Sequence, residues 1–370
     1  MSETVDRLRL IRTESVGPIT YRRLMDRFDT AAEALDALPD LARAGGRSAP
    51  LRIPRRADAE RELEKVLQFG ARLLWIGDPD YPSLLAQTDT APAALTVMGD
   101  VTALNARAVA LVGARNASTN GKHMAELLAQ DIAGSGLVVV SGIARGIDTA
   151  AHEGALRGGR TVAAIAGGID VVYPEANRDL QRRVAEGGAV VAEAPFGTAP
   201  QARHFPRRNR VIAGLALGTI VIEAAPQSGS LITARLAGEM GRELFAVPGS
   251  PLDPRCRGSN DLLRSGAHLV ENAADVLAII GLSLLPVPEP APAGVAETSV
   301  RFEAPPSDPE RARRTILENL GRDPTEVDDL IRRCQLSTSA VVAALLELEL
   351  GGQLEMLPGN KACLVENWTP

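Results

Sequence analysis

Four stretches of the chain combine residue types and spacing suited to binding phosphate. In Gly113-Ala114-Arg115-Asn116-Ala117-Ser118, with Gly121 just beyond, a glycine turn, an arginine and a hydroxyl lie within one short loop. An arginine presents parallel N–H donors to phosphate oxygens, and a glycine lets the backbone approach them closely. Ser141-Gly142-Ile143-Ala144-Arg145-Gly146 repeats the pattern, with Gly142 and Arg145 as the corresponding pair. Arg203-His204-Phe205-Pro206-Arg207-Arg208-Asn209-Arg210 is the most basic stretch, with four arginines and no acid. Its arginines suit a nucleic-acid backbone, and Phe205 offers a surface on which a base can stack. Finally, Ser228-Gly229-Ser230 feeds a helical run, and the unpaired amides at a helix start form an anion cradle.

The same residues exclude other chemistry. There is no GxGxxG fingerprint, and the run ending in Ser141-Gly142 lacks the carboxylate that would hold a ribose. No GxxxxGK[ST] loop is present to hold a triphosphate and its magnesium. No nucleotide cofactor is therefore expected. Cys256, Cys334 and Cys363 show no CxxC spacing and the four histidines lie far apart, so no metal site is expected either. Asp148 and His152 are four residues apart on one helical face, which reads as structural hydrogen bonding in the absence of a partnered nucleophile. No catalytic residue is assigned.

The net charge of -6 rules out a protein that coats nucleic acid with its whole surface, so DNA contact must come from a patch. At 3% aromatic residues, an extended platform of stacked bases is also excluded. The N-terminal MSETVDRLRLI is charged where a signal peptide is apolar, and no apolar run is long enough to span a membrane. With three cysteines that show no CxxC spacing, this predicts a cytoplasmic location.

The elements that must position these loops are legible from Ala106 onward. AVALVG, LVVVSG, TVAAIAGG, AVVAEA, TIVIEA and LFAVPG are continuous apolar runs alternating with helical stretches. Strands of that kind are buried on both faces, which predicts an α/β fold with a Rossmann-like, doubly wound, mostly parallel sheet. In such sheets ligands sit beyond the carboxyl ends of the strands, where the four stretches fall. SVGPITYRRLMDRF predicts an N-terminal helical module of the helix-hairpin-helix (SAM-like) kind, turning at Gly17-Pro18. After a Pro-rich run, three helical patterns and a hairpin predict a C-terminal winged helix. The expected domains are residues 1–70, 71–283 and 310–370, with 284–309 as a flexible linker. In the winged helix, the third helix starts at Ser337 or Thr338 and carries Glu347 and Glu349 but no basic residue. An acidic module repels phosphate, so it reads as a protein-interaction module that its tether lets search space independently.

In order and spacing, LVGARNAS, SGIARGIDTAAHEGAL, VYPEANRDL, FPRRNRVIAGL, EAAPQSGSLITARLAGEMGR, FAVPGS and GSNDLLRSGAHLV closely resemble the DprA (Smf) family of DNA-processing proteins. The resemblance implies single-stranded DNA binding by the core, homodimer formation, protection of incoming DNA and its delivery to RecA recombinase during natural transformation. On it, Arg115 stands where the family has a DNA-contacting arginine, and Arg178 and the arginines of FPRRNR stand where further basic contacts are expected. The core also resembles the lysine-decarboxylase-like phosphoribohydrolases, whose PGGxGTxxE motif finds its nearest counterpart in APQSGSLITA. Thr233 then falls where that motif has its catalytic Glu, and a hydroxyl cannot replace a carboxylate in acid–base work.

Overall fold

The computed structural model describes residues 2–282 and 308–365. Of the expected linker, only Asp308 and Pro309 fall among them. By their contacts the described residues divide into two units: those up to Arg61 together with those from 308 onward, and those from Glu62 to 282.

The first unit opens with helices α1 (Ser2–Ile11), α2 (Pro18–Arg27) and α3 (Ala31–Ala44). Pro18 sits in the first turn of α2, where its missing N–H costs nothing. Helix α4 (Arg56–Gln68) follows.

The second unit is built on a nine-stranded sheet. Its strands are β1 (Arg72–Trp75), β2 (Ala94–Gly99), β3 (Ala108–Gly113), β4 (Val138–Ser141), β5 (Thr161–Ile165), β6 (Ala189–Ala192), β7 (Gly218–Ile222), β8 (Glu243–Ala246) and β9 (His268–Leu269). Their spatial order is β1-β2-β6-β5-β4-β3-β7-β8-β9, and every pair from β6 to β9 is parallel. Six of these are the apolar runs read in the sequence. The sequence reading missed β1 and β2, which pair antiparallel with each other and, through β2, with β6, and the two-residue β9. Helices α5 (Ser83–Ala86), α6 (Thr119–Gly134), α7 (Ile147–Gly158), α8 (Arg178–Gly187), α9 (His204–Leu215), α10 (Gly229–Glu239), α11 (Arg257–Arg264) and α12 (Ala273–Leu282) connect the strands.

Alternation along β3 shows how the layers form. Ala108, Ala110 and Val112 pack on one face with Val211, Ile212 and Leu215 of α9, while Val109 and Leu111 pack on the other with Leu128 and Ile132 of α6. Strand order reverses between β3 and β7, so the crevice beyond those two strands is the topological switch point.

The winged helix comprises α13 (Pro309–Asn319), β10 (Thr325–Glu326), α14 (Val327–Cys334), α15 (Thr338–Leu350), β11 (Leu354–Leu357) and β12 (Lys361–Leu364). Ser337 caps α15 by accepting from the Ala340 amide at 3.3 Å. The expectation of an independently searching module is not met, because α15 packs on α3 and α2 in the same unit. A helix that is apolar nearly all round has to be covered on more than one side. No described helix is long and apolar enough to cross a membrane.

Candidate nucleic-acid interface

The loops after β3, β4 and β5 and the start of α9 enclose a cavity of about 710 Å³. Arg115, Gly142, Arg145, Tyr173, Phe205 and Arg208 line it. Five of these six were expected from sequence; Tyr173 was not.

Arg208 forms the floor. Its side chain is only 6% exposed, and Nη1 lies 3.7 Å from Asp148 Oδ2, an ion pair too long to be a hydrogen bond. Nε and Nη1 have no hydrogen-bond partner at all. Burial pushes the guanidinium pKa down, opposed by Asp148, and pushes the Asp148 carboxyl up, opposed by Arg208. An arginine starts so high that it stays cationic regardless. Gly142 makes this arrangement possible, because a Cβ there would fall on Arg208 Nη1 and within 2.6 Å of Asp148 Oδ2.

Phe205 stands above this floor between two cations. The guanidinium carbons of Arg115 and Arg208 lie 4.9 Å and 5.8 Å from its ring centre, within cation–π range. Tyr173 meets it edge-on at 6.0 Å and is itself 51% exposed. Arg115 and Arg145 are exposed and have no hydrogen bond or ion pair among the described residues. Asn177 ties two of the lining loops together: its buried Nδ2 donates to the Ile143 carbonyl at 2.8 Å and to Thr149 Oγ1 at 3.0 Å. Ile143 occupies the left-handed region at φ 57°, an unfavourable conformation for a β-branched residue that these surroundings enforce.

His152 does not join this site. Its Nδ1 lies 2.7 Å from Thr161 Oγ1, whose own proton goes to the Val139 carbonyl at 2.7 Å. The ring therefore donates through Nδ1, and Nε2 is a buried lone pair without a partner. Burial, aided by Arg208, depresses the imidazole pKa to about 3.

The remaining expected residues are placed otherwise. At the switch point Ser118 does cap α6, with Oγ accepting from the Gly121 amide at 2.9 Å. However, the Ser118 amide donates to Glu223 Oε2 at 2.8 Å and its hydroxyl donates to Glu223 Oε1. A carboxylate of the chain thus fills the place where the sequence suggested a phosphate, as the positive end of a helix favours any anion. Gly113 ends β3 against Ile222 and Ile147, and a side chain there would strike the Ile222 carbonyl. Ser141 is fully buried and donates to the Leu111 carbonyl at 2.6 Å. Asn209 is buried and donates to the Gly229 carbonyl at 3.2 Å. Arg210 turns inward, with its guanidinium on Glu193 and on the Thr90 carbonyl. Ser228 caps α10 by accepting from the Ser230 amide at 3.3 Å, the two hydroxyls bond each other at 2.6 Å, and neither residue nor exposed Gly229 lines the cavity. Arg207 is exposed outside the lining. Arg178 is exposed but held by both oxygens of Glu175, at 2.7 Å and 2.8 Å, which raises its pKa further. Of the three arginines in RRNR, one is outward, one forms the floor and one is structural.

Glu223, Asp253 and Cys256 bring ligand atoms within 4.8 Å of one another. Glu223 is engaged by Ser118, and Asp253 by Arg255 at 2.7 Å, so both carboxylates already have partners.

Fold and cavity define a Rossmann-like α/β protein with a cationic cavity at the carboxyl ends of its strands, joined in one chain to a helical hairpin module and a winged helix. Comparison with known proteins gives the family. The chain matches the family described as DNA recombination-mediator protein A over residues 72–281, a DprA-like N-terminal HHH domain over 1–64 and a DprA winged helix domain over 300–360. Protein Smf of Synechocystis sp. is 31% identical over 95% of this chain and 96% of its own length. The X-ray structure of DNA processing protein A from Streptococcus pneumoniae matches with a TM-score of 0.64 and 37% identity, over 74% of this chain and 95% of that one. A structure from Helicobacter pylori, described by its single-stranded DNA binding mode, matches at 0.53 with 28% identity over 58% and 96%. This chain belongs to the DprA (Smf) family of DNA-processing proteins.

Proposed function

We propose that this protein binds single-stranded DNA across the cavity formed by Arg115, Arg145, Phe205 and Arg208. It protects incoming strands in the cytoplasm and, as a homodimer, helps load RecA recombinase on them during natural transformation. One observation carries the binding reading. Many exposed arginines elsewhere in the sheet unit are neutralised by nearby acids, as with Arg178 and Glu175, Arg182 and Asp179, and Arg264 and Asp261. Arg115 and Arg145 have no such partner and line one cavity with Phe205, whose ring centre lies 4.9 Å from the Arg115 guanidinium and 5.8 Å from that of buried Arg208. Unpaired cations beside a half-buried ring and the exposed Tyr173 suit a strand whose bases are unstacked, which a duplex does not offer. The H. pylori relative, described as a single-stranded DNA binder, supports the same reading.

The role is binding and not hydrolysis. Thr233, which stands where the phosphoribohydrolase motif has its Glu, is 1% exposed inside α10.

The test is titration of the full chain with fluorescent oligo-dT at several salt concentrations. Affinity falls linearly in log–log form, and Arg115→Ala with Arg145→Ala lowers both affinity and slope. Unchanged binding in the double variant removes the proposed path. RecA filament growth on strands pre-coated with single-strand binding protein tests the loading step separately, and sedimentation tests the dimer.

A further inference from the structure

The third helix of a winged helix is the one that enters a DNA major groove. In this chain α15 leaves Thr338, Ser339 and Val342 exposed and is buried on several sides from Ala344 to Leu350. The winged helix's own core takes Val341, Ala344, Leu345 and Leu348. Leu346 and Leu350 lie outside that cluster, yet they are only 2% and 0% exposed. The cover comes from the N-terminal helices: α15 packs on α3 and α2, and Ile19 of α2 packs against the winged-helix core.

Two glycines show how closely the two modules meet. Gly45 ends α3 with φ -75° and Gly351 ends α15 with φ -69°, backbone angles open to any residue. A Cβ on Gly45 would nevertheless fall on the Glu347 carbonyl, and one on Gly351 on the Gly45 carbonyl. The neighbouring Gly46 and Gly352, at φ +88° and +75°, already supply the left-handed turns that end the two helices. The first glycine of each pair therefore answers to the other module and not to its own backbone. Gln353 Nε2 donates to the Gly45 carbonyl at 2.8 Å across the same junction.

Charge follows the same arrangement. Residues 2–61 hold twelve basic against ten acidic side chains, and residues 308–365 seven against ten. Glu347 pairs within the winged helix, with Arg313 at 2.5 Å. Glu349 accepts from the Met356 amide at 3.4 Å, and desolvation raises its carboxyl pKa against the pull of Arg23 of α2, whose own pKa desolvation lowers. Both acids of α15 thus have intramolecular work, and the helix has no base to offer phosphate.

We propose that α15 is the docking helix of an intramolecular clasp whose partner is the α2–α3 face of this chain's own N-terminal module, and that it does not read duplex DNA. The winged helix holds the two ends of the chain together.

Hydrogen exchange on the full chain tests this with Gly45→Ala and Gly351→Ala. Each substitution speeds exchange in the module it does not belong to by about tenfold or more, with the sheet of residues 72–269 unchanged. Arg23→Glu and Glu349→Arg each do the same, and combining them restores protection, which misfolding of one module cannot mimic. Faster exchange confined to the substituted module overturns the clasp. Duplex affinity that appears only when Gly45 or Gly351 is replaced would show α15 to be a masked DNA reader and overturn its dedication to docking.

Discussion

Arg115 and Arg210 are both candidate phosphate ligands by sequence, and the structure separates them. Arg115→Ala removes an exposed guanidinium whose internal contact is the Phe205 ring, worth about 0.5–1 kcal/mol at such a site. Thermal stability should therefore hardly change. A charged hydrogen bond to phosphate contributes about 1.5–3 kcal/mol, so oligo-dT affinity should fall roughly ten- to hundredfold. The slope of log K against log salt should become shallower by about 0.7, one phosphate contact on a single strand. Arg210→Ala leaves Glu193, only 26% exposed, without its cation, and breaking such a pair costs about 3 kcal/mol or more. For a unit of this size that lowers Tm by roughly 6–12 °C while leaving the salt slope intact. Fluorescence anisotropy over a salt series and calorimetry on the same preparations read both quantities. An Arg115→Ala protein with the parental slope, or an Arg210→Ala protein with a shallower slope and parental Tm, would refute the assignment of outward and inward arginines.

Gly142→Ala should displace the Arg208 guanidinium from beside Asp148, lowering stability by about 1–3 kcal/mol in denaturant titration and weakening oligo-dT binding. His152 is neutral in the folded protein with a pKa of about 3, whereas the unfolded chain takes up a proton below about pH 6.5. Stability from this residue is thus present at neutral pH and lost on acidification, by about 2 kcal/mol between pH 7 and pH 5; His152→Asn should flatten that part of the urea-midpoint profile relative to the parent, with Asp148 common to both. Glu223→Gln withdraws a negative charge from the start of α6 and should cost about 1–2 kcal/mol by calorimetry without changing oligo-dT affinity.

The helical phase of the basic stretch explains what the sequence showed and what it concealed. Read as composition, RRNR is four residues of a charged loop. Read at 3.6 residues per turn, Arg208 precedes Ile212 and Leu215 by one and two turns on the face that α9 buries against the sheet, so an inward Arg208 was available to periodicity. The apolar runs gave the parallel strands correctly for the same reason, since burial on both faces leaves a local signature. Glu223 left none. It reaches Ser118 only because β3 and β7 are neighbours across the reversal of strand order, a relation fixed by the whole sheet and invisible to either loop alone. Tyr173 was hidden likewise, since Asn177 brings its loop to Phe205 by bonding a carbonyl of the β4 loop. Gly45-Gly46 and Gly351-Gly352 lie between these cases. Either pair reads as an ordinary helix stop, yet a stop of this type needs one glycine in the left-handed region. The second glycine of each pair meets that need, which leaves the first as a local trace of a contact made some three hundred residues away in the chain.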